Sequence, residues 1–80
     1  MFIESSFFEK ERKYIVVNAF SSGDSFEINE QLVFVTSWFN RYDCCYVFEF
    51  KSNDDLKKIF WVTTKEQLLE YEKNFKLLTE

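Results

Sequence analysis

The sequence predicts an α+β fold: a small curled antiparallel sheet of four or five strands, an SH3-like half-open barrel, with a C-terminal helix. Three observations predict it. Short runs rich in β-branched and aromatic residues recur along the first three quarters of the chain, and such runs favour strands. The polar links between them are of hairpin length, so neighbouring strands pair antiparallel. After Thr64 the apolar spacing lengthens from two residues to three and four, the period of a helix face. An open meander with the helix packed across it is the second architecture compatible with this order.

The elements follow in turn. Ser6-Phe7-Phe8-Glu9 matches an S-x-x-E capping box and predicts a helical turn that lays Phe7 or Phe8 on the core. Tyr14-Ile15-Val16-Val17 centres a strand over 13–20. Ser21-Ser22-Gly23-Asp24-Ser25 is the clearest turn, with Gly23 supplying a positive φ and its neighbours local hydrogen bonds. Phe26-Glu27-Ile28 alternates, Asn29-Glu30 turns, and Leu32-Val33-Phe34-Val35 marks a second strand over 31–38. Asn40-Arg41-Tyr42-Asp43 reads as a connection. The strand over 45–51 puts Tyr46, Phe48 and Phe50 on one face and Val47 and Glu49 on the other. Ser52-Asn53-Asp54-Asp55 turns the chain into a last strand over 57–62. Thr64-Lys65-Glu66-Gln67 is a T-x-x-Q capping box opening a helix over 65–78. Leu68, Tyr71, Phe75 and Leu78 make its apolar stripe, and Glu66, Glu70, Lys73 and Lys76 face water.

Eighty residues make one domain, 1–80, of a size that buries a modest core. Eleven Phe, four Tyr and two Trp offset this, since each ring buries roughly 150–250 Å². A net charge of −4 argues against binding nucleic acid through its phosphates or docking on an anionic membrane. It suits another protein, in particular one with a basic surface. Cys44 and Cys45 are adjacent and point to opposite faces of a strand, so no disulfide framework is expected. The start of the sequence has no basic region followed by an apolar run, and the apolar stretches are too short to span a bilayer. A cytoplasmic protein is expected.

Lys13-Tyr14-Ile15-Val16-Val17 leading to Phe20, Glu30-Gln31-Leu32-Val33-Phe34, Phe39-Asn40-Arg41-Tyr42-Asp43 and Asn74-Phe75 together resemble a short bacterial domain family of unknown function, the three-six-zero-one family. The resemblance covers roughly residues 13–76. It implies a compact β-rich fold and brings no activity with it. Where it would place a glycine after Tyr42-Asp43, this chain has Cys44-Cys45.

The sequence carries little equipment for catalysis. It has no histidine, which removes the commonest general base and metal ligand. Two adjacent cysteines do not make a tetrahedral metal site. Arg41 lies near enough in sequence to lower a thiol pKa, but one core and one rim cysteine is the commoner arrangement. Asp54-Asp55 reads as turn chemistry before it reads as a carboxylate pair. One glycine cannot build a phosphate-cradling loop. A non-enzymatic protein with no cofactor and no metal is therefore expected.

Binding is better provided for. Trp38, Phe39, Arg41, Tyr42 and Asp43 gather beside a turn, and Trp61 adds a second indole; Trp, Tyr and Arg dominate energetic hot spots. The structural alternative divides Trp38 and Phe39 between core and sheet edge, with Tyr42 closing the barrel end. Seventeen rings exceed what one curled sheet and helix enclose, so an exposed apolar patch is expected. The expected function is a stoichiometric inhibitor, either a toxin immunity protein or a phage-encoded anti-defence protein. A homodimeric structural or regulatory protein is the alternative. A single-stranded nucleic-acid binder and a cysteine enzyme rank below these.

Overall fold

The computed structural model describes residue 5 and residues 7–78. Its elements are β1 (Lys13–Val16), β2 (Phe20–Ser22), β3 (Asp24–Phe26), β4 (Gln31–Asn40), β5 (Cys45–Ser52), β6 (Lys57–Val62), α1 (Lys65–Glu72) and β7 (Phe75–Leu77). The fold is α+β. Five strands form an antiparallel sheet in the order β6-β5-β4-β1-β7, and β2 and β3 form a separate hairpin. β4 is ten residues long, about 33 Å at the rise of a strand, and the molecule measures 34 × 22 × 21 Å.

Two predicted elements differ from what forms. The strand expected over 13–20 is two strands, β1 and β2, separated by exposed residues 17–19. β1 lies between β4 and β7, whereas β2 belongs beside β6 at the opposite edge. The chain therefore has to leave the sheet after Val16. The helix expected over 65–78 ends at Glu72. Lys73 and Asn74 close it with backbone bonds to the Tyr71 carbonyl, and Phe75 to Leu77 turn into a strand on β1. Of the expected apolar stripe, Leu68 and Phe75 are buried, from different kinds of element, and Tyr71 and Leu78 are half-buried. β7 gains a ladder on β1 that a longer helix would forgo. The Thr64 cap forms as expected, its Oγ1 accepting from Gln67 N–H, while Gln67 Oε1 reaches back to Thr63 N–H.

The sheet is curled but not closed, with β6 and β7 as its edges. Side chains fill the space between them. α1 joins the two edge strands and buries Leu68. The β2–β3 hairpin inserts Phe20 and Phe26, stacked at 4.7 Å between centroids, against Phe60 and Phe75. Phe8 enters from the chain's start and touches a ring from every strand of the sheet: Tyr14, Phe34, Phe48, Phe50, Phe60 and Phe75, at 5.1–6.1 Å. Tyr14 anchors that entry. Its hydroxyl donates to the Phe7 carbonyl and accepts from Glu9 N–H, both at 2.7 Å. The capping role read for Ser6 lies outside the described residues; Ser5 Oγ beside it accepts from Phe7 and Phe8 N–H.

The hairpin also protects the β6 edge, which would otherwise present unpaired backbone to other chains. Ser22 Oγ donates to the Trp61 carbonyl, Asp24 accepts from Ile59 N–H at 2.9 Å, and Lys58 Nζ donates to the Ser25 carbonyl and pairs with Glu30 at 2.6 Å. Gly23 makes the approach possible. Its φ is +80°, and a Cβ there would lie 3.1 Å from the Ile59 carbonyl oxygen. Gly23→Ala should therefore lower stability by about 1–2 kcal/mol through left-handed strain alone, with further loss from lifting the hairpin. A urea midpoint unchanged from wild type would show that the hairpin does not press on β6.

Candidate functional site

β4 changes faces partway along. Leu32 and Phe34 point inward and are buried. Strict alternation would then send Thr36 and Trp38 inward as well. Instead the register slips between Phe34 and Thr36, a β-bulge at Val35, so that Phe34 pairs with Phe50 but Thr36 pairs with Glu49. A bulge inserts one residue on one strand, and every later side chain changes face. Trp38 now points to the outer face and Ser37 and Phe39 to the inner one.

The outer face gathers the two indoles. Trp38 pairs with Val47, and Val47 pairs with Trp61, placing the three in one row across β4, β5 and β6. Val47 is only 2% exposed although it faces outward, while Trp38 is 39% and Trp61 42% exposed. The indoles shield the valine and keep much of their own surface in water. In the next row Glu49 lies between Thr36 and Ile59. Lys57 reaches across β5, its Nζ 3.9 Å from Glu49 and 5.9 Å from the centre of the Trp38 ring. A cation over an indole is favourable, and it fixes the ring's orientation. The face is an apolar row bordered by one neutralised charge pair.

The other predicted site residues lie elsewhere. Phe39 is on the inner side, its ring 4.9 Å from Tyr46. Arg41, Tyr42 and Asp43 form the β4–β5 turn at the far end of the hairpin, with Tyr42 98% exposed. Asn40 holds that turn: its Oδ1 accepts from Tyr42 and Asp43 N–H, and its Nδ2 donates to Asp43. Cys44 ends it with φ +50°, a conformation suited to glycine, at the position where the resemblance would place one. The structure thus joins Trp38 to Trp61 and separates both from the turn residues. Val47, Lys57 and Glu49 belong to the face and were missed. Alternation along 45–51 puts Val47 and Glu49 on one side, but only the strand register brings Lys57 and the indoles to them.

Among the described residues no group of three His, Cys, Asp or Glu side chains comes together as a metal site. Among them, too, no helix is long and apolar enough to cross a membrane. Both thiols are unbridged, Cys44 exposed and Cys45 buried.

The chain thus presents a curled sheet with an aromatic outer face. No family model matches it and no curated protein matches it. A solved structure shares the fold: an integron cassette protein from the mobile metagenome of Vibrio cholerae, with a TM-score of 0.75 at 18% identity, covering 95% of this chain and 91% of that one.

Burial pushes the Cys45 thiol up from its ordinary value, with Asp43 and Cys44 adding to the effect. Burial also raises Tyr14, more than the Glu9 backbone bond lowers it. Both groups are neutral when folded at neutral pH, and both ionise sooner in the unfolded chain. Stability should therefore be full below about pH 8.5, the ordinary thiol value, and fall as pH rises toward the folded-state values. Urea midpoints measured through the alkaline range should show this decline, with a shallower first part in Cys45→Ala. Identical slopes in the two proteins would contradict the assignment to Cys45.

Proposed function

We propose that this chain is a non-enzymatic protein-binding module and that the outer face of β4, β5 and β6 is its docking surface. The observation that carries the reading is the row Trp38–Val47–Trp61, two large aromatic side chains held rigidly on a sheet and about two-fifths exposed. Tryptophan on a rigid scaffold supplies contact area at low entropic cost, and such residues tend to dominate binding energy. The neutralised Lys57–Glu49 pair leaves the row without an unpaired charge to desolvate. Arg41, Tyr42 and Asp43 at the projecting turn are available as a polar rim to the same partner.

The biological role that fits best is a stoichiometric inhibitor, a toxin immunity protein or an anti-defence protein, acting in the cytoplasm. Such a role needs a shaped adhesive surface and nothing catalytic. The SH3-like half-open barrel is part of this proposal. Its support is the convergence of rings from both edge strands, Phe60 of β6 and Phe75 of β7, at 6.0 Å.

The test is a pull-down from the source organism with wild type and with Trp61→Ala, followed by titration of the captured protein. One stoichiometric partner is expected, with its own activity blocked on binding. Trp61→Ala should weaken the complex by at least about 2 kcal/mol, the scale of a hot spot. Undiminished binding by a Trp38→Ala/Trp61→Ala protein that remains folded would remove the outer face from consideration.

A further inference from the structure

We propose that the far half of β4 pairs with the same segment of a second copy of this chain, forming a two-fold dimer through one continuous antiparallel sheet. The inference is independent of what the outer face binds. It begins from how the sheet treats its edges. β6 is covered by side chains of the β2–β3 hairpin, and β7 is a three-residue strand carrying Lys76. Short strands and lysines are the usual protections of an edge. β4 differs. β1 covers it only up to Phe34, whose N–H and C=O bond to Arg12 and Glu11. Beyond Phe34, among the described residues, β4 pairs on one side alone, with β5.

The open stretch, Thr36-Ser37-Trp38-Phe39-Asn40, contains no charge, and neither does the rest of β4. An uncovered edge without a charged residue or proline pairs readily with another strand. The bulge decides which backbone groups are offered. Phe34 faces β1, and the inserted residue shifts the alternation, so Ser37 and Phe39 turn their N–H and C=O to the open side. Antiparallel self-pairing about a two-fold at Trp38 satisfies both residues at once. Ser37 faces Phe39 of the other copy, exchanging two bonds, and the symmetry repeats them.

The ends of the pairing are complementary as well. In this register the turn of one copy, with Arg41 and Asp43, runs alongside the Glu9–Arg12 turn that precedes β1 in the other. That turn carries Glu9, Lys10, Glu11 and Arg12, all exposed, so it offers Arg41 an acidic side chain and Asp43 a basic one in each half of the dimer. The dimer also joins the outer faces, setting Trp38 beside its symmetry mate at the centre of a row with Trp61 at each end.

Sedimentation equilibrium tests this directly. Wild type should show twice the 9.8 kDa chain mass, dissociating on dilution. Ser37→Pro removes an outward N–H without touching the β5 ladder, and proline is tolerated on such edges. It should raise the dimer dissociation constant at least tenfold, and Ser37→Lys should do the same if the proline variant fails to fold. Trp61→Ala, two strands away, should leave the dimer intact, which separates failure of this proposal from failure of the docking face. Trp38→Cys in a Cys44→Ser background should form an intermolecular disulfide, because facing residues at such a site are about 4.5 Å apart at Cα. A wild-type monomer at every concentration would overturn the proposal. So would a dimer that persists in a folded Ser37→Pro or Ser37→Lys protein, or a monomer that instead takes up a foreign extended peptide.

Discussion

The bulge at Val35 is the constraint on which this molecule's surface depends. One additional residue on β4 reverses the facing of everything from Thr36 to Asn40. Without it Trp38 would lie on the inner face opposite Tyr46, at the place Phe39 now holds. With it, Trp38 joins Trp61 over Val47, and Ser37 takes the inner-face position opposite Phe48. The same slip sets which backbone groups face the open side of β4. Outer face and open edge thus come from one local departure from regular pairing.

The core that supports this surface is made mostly of rings. Phe8 brings a segment outside the sheet into contact with all five strands, and Tyr14 fixes the approach with two hydrogen bonds. The rings meet edge to face and offset, arrangements that contribute about 0.5–1.5 kcal/mol per pair beyond area burial. Tilted and perpendicular packing lets many Phe side chains share a small interior with a few aliphatic ones, Val16, Leu32, Val62 and Leu68. Among the described residues no side-chain polar atom is buried without a partner. The hairpin β2–β3 contributes both to this core, through Phe20 and Phe26, and to the protection of β6, through Ser22 and Asp24.

The sequence was informative wherever local chemistry decides. β-branched and aromatic runs located β4, β5 and β6; Gly23 located the hairpin turn; Thr64 and Gln67 located the start of α1. It misled where the global arrangement decides. Val17 to Ala19 look like strand, but the chain must cross from β1 to the opposite edge there. Phe75 extends a helical stripe, but a vacant edge of β1 captures it as strand. The candidate site was half legible. Trp38 and Trp61 were identifiable as large rings on strands, while their meeting across Val47 needs a register and a bulge that no residue spacing encodes. Lys57 and Glu49 were invisible for the same reason, since they reach the site only from neighbouring strands.

A chain this small devotes two tryptophans to an outer face, and this is the feature on which the proposed binding role depends. Binding through that face requires Trp38 and Trp61 to share it. Nuclear Overhauser contacts from the two indoles, assigned in the free protein, measure it most directly. Both indoles should show contacts to the methyl groups of Val47, and Trp38 should show none to Phe8 or Phe48. Contacts from Trp38 to the Phe8 or Phe48 ring would place it in the core, remove the bulge from the solution structure, and contradict the account.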